Sequence, residues 1–107
     1  MFPKHYRLSR AEVSLVIKKG VASNTPFFSI KTLDLQGKNA KSAFVVSKKE
    51  CRLSVDRNQL RRKVRSVFRE VYPELPRHLG IVIFIKKQAK EAGFDQILSA
   101  FKTVFKL

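Results

Sequence analysis

Residues 54–72, SVDRNQLRRKVRSVFREVY, constrain the fold of this chain most strongly. Leu60, Val64, Val67, Phe68 and Val71 recur at helical spacing and make one apolar stripe. Arg57, Arg61, Arg65 and Arg69 recur every fourth residue, so on a helix they form a slowly drifting ridge beside that stripe. Asn58 and Arg62 lie one row further round. Like charges at this spacing repel and cost the helix some stability. A polyanion laid along the ridge would remove that cost. A solvated basic face is the plainer reading. Against it, the charge keeps nearly one sign over four turns, with Glu70 the only acid after Asp56 within this stretch. The pattern points to a nucleic-acid surface.

The rest of the composition agrees. A chain of 107 residues carries a formal net charge of +15. That balance calls for a polyanionic partner: RNA, DNA or an anionic membrane surface. The membrane is the weakest of the three, because the longest apolar run, Ile81 to Ile85, is far too short to span one. The opening residues, MFPKHYRLSR, lack the apolar core of a secretory signal, and Cys51 has no second cysteine to pair with. The expected setting is the cytoplasm, and the expected organisation is one domain over residues 1–107.

In chain order, Ser9 and Glu12 make a capping box, Leu8 is placed to staple onto Val13, and Gly20 stands where a helix ends. A helix is expected at about 10–19, with Val13, Val16 and Ile17 facing inward. FFSIKTLDL, residues 27–35, alternates as a strand does, and SAFVVSK, residues 42–48, follows a polar turn at 36–41. The two strands are expected to pair as an antiparallel hairpin. A further short strand is possible near 21–24. Ser54 is the candidate N-cap of the basic helix, and Tyr72-Pro73 closes it. GIVIFIK, residues 80–86, is apolar on both faces and reads as a central strand. Phe94, Ile97, Leu98, Phe101, Val104 and Phe105 mark a last helix at about 94–105. The expected fold class is α/β in the α+β sense: one small sheet packed with helices, in the order helix, strand, strand, helix, strand, helix.

Catalytic chemistry is not visible. The acids Glu12, Asp34, Glu50, Asp56, Glu70, Glu74, Glu91 and Asp95 are scattered, and no histidine sits at ligand spacing to any of them. His5 and His78 read as surface histidines, and Cys51 as a small residue near a helix start. No metal ligand set is expected.

VVSKK at 45–49, followed by VDRNQLRRKVR at 55–65, resembles the signature of the bacterial ribonuclease P protein family. The likeness extends to the basic start with Arg7-Leu8, the helix closing at Gly20, the Phe27-Phe28 strand and the GIVIFI strand. It departs at Gln59, where the motif usually has its second arginine. It departs again at Glu50-Cys51-Arg52, which replaces a link that commonly holds glycine. Val13 and Ile17 stand where many relatives carry aromatics. The resemblance implies a fold like a ribosomal-protein domain, with a left-handed crossover through the basic helix. It also implies a subunit that binds ribonuclease P RNA and the 5′ leader of precursor tRNA, with RNA and magnesium performing the cleavage. RNA contacts then fall to Ser47, Lys48, Lys49, Arg52, Arg57, Asn58, Arg61, Arg62, Arg65 and Arg69. The leader cleft falls to Val13, Ile17, Phe27 and Lys31, and the protein is expected to be a monomer within a ribonucleoprotein. The rival reading is a small basic ribosomal or RNA-chaperone protein without an enzymatic role; a helix-turn-helix regulator would need two short consecutive helices, whereas this basic helix lies between strands.

Overall fold

A computed structural model describes residues 7–107, so His5 lies outside the described residues. The elements are α1 (Arg10–Lys19), β1 (Val21–Asn24), β2 (Phe28–Asp34), β3 (Lys41–Val45), α2 (Ser54–Val71), β4 (Leu79–Ile85) and α3 (Phe94–Phe105). Single 3-10 turns follow α2 at Tyr72–Glu74 and β4 at Lys87–Lys90.

The Ser9 hydroxyl accepts from the Glu12 amide while the Glu12 carboxylate accepts from the Ser9 amide, so α1 starts on a complete capping box. It ends at Gly20, whose backbone is extended rather than left-handed. Glycine is needed there for a different reason: a Cβ would run into the Val16 carbonyl and lie 3.0 Å from that of Thr32. The basic helix begins one residue earlier than its sequence suggests. Leu53 is the N-cap, with no side-chain capping bond, and Ser54 already lies in the first turn.

The sheet order is β1-β2-β4-β3. The expected β2–β3 hairpin does not form: β4 lies between them, antiparallel to β2 and parallel to β3. The cause is in β4 itself. A strand apolar on both faces gains most from two neighbouring strands and a layer on each side. The polar linker after β2 is long enough to step across it. There the Leu35 amide bonds the His78 carbonyl, and Gln36 takes a positive φ of 55°. The third strand is also shorter than expected, leaving the sheet after Val45. The short strand near 21–24 is present and pairs with β2.

Register decides the two faces of the sheet. Phe28 lies opposite Ile85, and Ile30 opposite Ile83. These residues and Ile81 pack with Leu60, Val64, Val67, Phe68 and Val71 of α2 and with Ile97 and Phe101 of α3. Phe68 is the hub, edge-on to Phe44 at 5.5 Å and to Phe101 at 5.4 Å. Such pairs add about 0.5–1.5 kcal/mol each beyond the area they bury. Phe94 is the outlier of the α3 stripe and remains exposed. The alternate residues of β4, Gly80, Val82 and Phe84, face the other way, toward α1. Only Val16 of α1 is fully buried, lying where a Cβ on Gly80 would come within 3.2 Å of it. Ile17, expected inward, is 38% exposed, because one short helix can bury only a narrow stripe on this half-covered face.

Candidate RNA interface

The ridge on α2 is not uniform. Arg57 at its start turns back on the chain, its Nη1 donating to the Cys51 carbonyl at 3.0 Å and the Arg52 carbonyl at 2.9 Å. It clamps the link that leads into the helix. Arg61 donates to the Asn58 amide oxygen at 2.6 Å, one turn back. Arg65 lies with its guanidinium 5.4 Å from the centre of the Phe44 ring, so it leans toward β3. Burial, and after it the charges of Arg7, Arg61 and Arg62, pull the Arg65 guanidinium below its usual pKa. Four arginines thus share one neighbourhood. Arg7 arrives there because the chain before α1 runs parallel to β3: Arg7 bridges to Ser42, and the Leu8 amide bonds the Ser42 carbonyl at 3.1 Å. A shallow cavity of about 270 Å³ lies beside this group, lined by Arg62, Arg65, Ser66 and Arg69. Sequence spacing gives no hint of Arg7, which a strand edge rather than a helix delivers.

Ser47, Lys48 and Lys49 are exposed at the turn that leaves β3. The Ser47 hydroxyl and carbonyl accept from the Glu50 amide, and the carbonyl also from that of Cys51, so serine shapes the turn and the two lysines form its tip. Glu50, in place of the motif's usual link, accepts from the Lys87 amide at 2.9 Å and ties the turn to the end of β4. Arg52 and Asn58 are exposed, and Cys51 is half-buried against the core.

The residues expected in a cleft beside α1 are only partly together. Lys31 donates to the Ile17 carbonyl at 2.7 Å and so caps the end of α1. Val13 is half-buried. Phe27 packs against the core formed with α2 and α3, away from its expected place. The cause is that it precedes β2 and lies at the sheet's end, where its carbonyl accepts from the Lys86 amide. The half-buried aromatic on the open face is Phe84. It lines a cavity of about 180 Å³ with Ser29, Val45, Ser47, Glu50 and Lys86. Its signal was present in the sequence: within IVIFI, Phe84 is out of phase with all three isoleucines.

Among the described residues no three His, Cys, Asp or Glu side chains gather to hold a metal ion. Glu70 and Glu74 are four residues apart, as are Glu91 and Asp95, but a helix end falls between the members of each pair. No helix among the described residues is long and apolar enough to cross a membrane.

The ribonuclease P family model matches residues 2–107. The chain belongs to the ribonuclease P protein family. It is 30% identical over 106 residues to the ribonuclease P protein component of Pseudanabaena sp. (strain PCC 6903), covering 97% of this chain and 91% of that one. Its fold is similar to that of the ribonuclease P protein from Thermotoga maritima, with a TM-score of 0.80, 23% identity and 94% of each chain covered. It is also similar to a Staphylococcus aureus ribonuclease P protein mutant with defective mRNA degradation activity. That match has a TM-score of 0.81 and 25% identity, covering 96% of this chain and 87% of the other. The family supplies the protein component of an endoribonuclease complex in tRNA processing, and membership implies association with ribonuclease P RNA.

Proposed function

We propose that this chain is the RNA-binding subunit of a cytoplasmic ribonuclease P and acts as a single copy within the ribonucleoprotein. It docks on the catalytic RNA through the Arg61, Arg62 and Arg65 flank of α2 and through Lys48 and Lys49. The open sheet face beside α1, with Phe84 and the Lys48-Lys49 turn, holds the 5′ leader of precursor tRNA. The cleaving groups are assigned to the RNA. Magnesium, bound there, supplies the activated water and the charge stabilisation. The described residues offer it no ligand set.

One observation carries this reading. Burial lowers the pKa of the Arg65 guanidinium, and the charges of Arg7, Arg61 and Arg62 gathered beside it lower it further, while the Glu12–Lys41 ion pair lies elsewhere. Such a cluster is costly in the free protein and favourable against phosphate. The test is reconstitution with ribonuclease P RNA from the same source and a precursor tRNA. The protein should cleave nothing alone and should raise the rate or substrate affinity of the RNA at limiting magnesium. Cleavage by RNA-free protein, or no effect on the RNA, would overturn the proposal.

A further inference from the structure

α2 has a second flank, opposite the Arg61–Arg65 side, and its chemistry differs. Between the first turn of α2 and the 3-10 turn after β4 lies a cavity of about 150 Å³. Cys51, Asp56, Gln59, Leu60, Lys63 and Lys90 line it. Leu60 is a buried apolar wall and Cys51 is half-buried beside it. Lys63 is held in place by a 2.9 Å bond from its Nζ to the Lys90 carbonyl, which leaves the ammonium two further donors. Among the described residues the half-buried Asp56 carboxylate meets neither a hydrogen-bond donor nor an ion-pair partner, in a chain with a net charge of +15. An acceptor pair and fixed donors therefore border one cavity without touching.

Gln59 explains why the carboxylate is left open. An arginine there, as the family motif usually has, would stand three residues after Asp56, at the spacing of a helical ion pair. Gln59 is shorter and neutral, so it leaves Asp56 unpaired and adds an amide that both donates and accepts. An unpaired carboxylate repels phosphate. It accepts well from the edge of a nucleobase.

We infer that this cavity receives one unstacked guanine of the bound RNA. Guanine carries two adjacent donors, N1–H and the N2 amino group, that match the two oxygens of Asp56. Its O6 follows on the same edge, where Lys63 or the Gln59 amide donates. Cytosine and adenine offer Asp56 one donor group on that edge, and uracil offers one imide N–H flanked by acceptors. Leu60 and Cys51 give the ring an apolar surface. The inference rests on the RNA-binding reading above and adds base selection to it.

The test uses labelled oligouridines of about ten nucleotides carrying one central guanosine, inosine or adenosine, titrated by fluorescence anisotropy at one salt concentration. Wild type should bind the guanosine oligomer about fivefold or more tighter than the inosine one, which lacks the N2 amino group. Asp56→Asn and Gln59→Arg should each bring the two within about twofold while keeping or raising overall affinity, because one removes a negative charge and the other adds a positive one. The exposed Gln59→Arg change does not touch the core, so it separates lost recognition from lost folding. Equal wild-type affinities for all three oligomers, with salt-dependent binding intact, would overturn this inference alone. A guanosine preference that survives in both variants would also overturn it. No binding to any oligomer would overturn the RNA-binding reading with it.

Discussion

Replacing Arg65 with methionine should separate what this side chain does for folding from what it does for RNA. Methionine keeps an unbranched stem beside Phe44 and removes the charge. The fold loses one cation–π contact, with 5.4 Å from guanidinium to ring centre. At a half-exposed site that is worth about 0.5–1 kcal/mol. The fold gains relief from Arg61 four residues before and Arg62 three before, about 0.2–0.5 kcal/mol each, and from Arg7 across the strand edge. These contributions nearly cancel, so urea unfolding should shift by no more than about 0.5 kcal/mol in low salt. Adding salt screens the repulsion and should turn the balance slightly against the variant. Binding has no such cancellation. A charge-assisted bond to phosphate, discounted for solvent from about 1.5–3 kcal/mol, leaves roughly a five- to tenfold loss of affinity for ribonuclease P RNA. Lys106→Ala, at the left-handed end of α3, is the control and should change little. If Arg65→Met loses as much stability as binding, Arg65 is a packing residue and the phosphate contact is refuted.

Other expectations follow from separate parts of the structure. Arg57→Ala removes both bonds to the carbonyls of Cys51 and Arg52, so it should destabilise the protein by about 1–2 kcal/mol in urea melts, unlike Arg61→Ala, which should weaken RNA binding with a smaller effect on stability. If roughly six phosphates are neutralised, log K for a single-stranded leader should fall with log salt with a slope near −4, and a slope near zero would remove the phosphate contacts. The Glu12 carboxylate is held below its ordinary pKa of 4.5, first by the Ser9 amide and further by Lys41. A depressed folded value means stability fully present above the ordinary pKa and lost as pH falls through the folded one, so α1 should loosen in acid. Glu12→Gln should flatten that part of the profile, read as the urea midpoint between about pH 3 and 7.

Local signals located the helices well. The capping box at Ser9 and Glu12, the proline after Tyr72 and the apolar stripe of α3 each act within a few residues, and each element lies where it was expected. Pairing depends on distant residues, and there the sequence misled. A polar linker between two alternating segments looks like a hairpin whatever lies between them in space. Yet the apolar continuity of β4 already demanded two partners, and the only long strands available were β2 and β3. Taking β4 as central was thus in tension with pairing β2 to β3. The candidate site shows the same division. Helical spacing found Arg61, Arg62 and Arg65. Arg7 comes from a strand edge, Arg57 clamps a loop, and Phe84 reaches the open face because it alternates with Ile81, Ile83 and Ile85 along β4.

The ridge itself shows why equal spacing does not give equal roles. Four residues turn an α-helix through 400°, so each step along Arg57, Arg61, Arg65 and Arg69 rotates the side chain about 40° around the axis. Across three steps the drift is about 120°, a third of the circumference. The apolar stripe cannot drift with it, because Leu60, Val64, Val67, Phe68 and Val71 are all held on the sheet and α3. The first arginine therefore falls over the loop that enters the helix, the second bonds Asn58 a turn back, the third leans on Phe44 of β3 near Arg7, and the last lies at the exposed surface. Asp56, Gln59 and Lys63 follow their own row onto the opposite side, toward the turn at Lys87–Lys90. A single basic helix thus carries a structural clamp, a phosphate-facing cluster and a pocket of mixed charge, with the division set by how the core fixes its rotation.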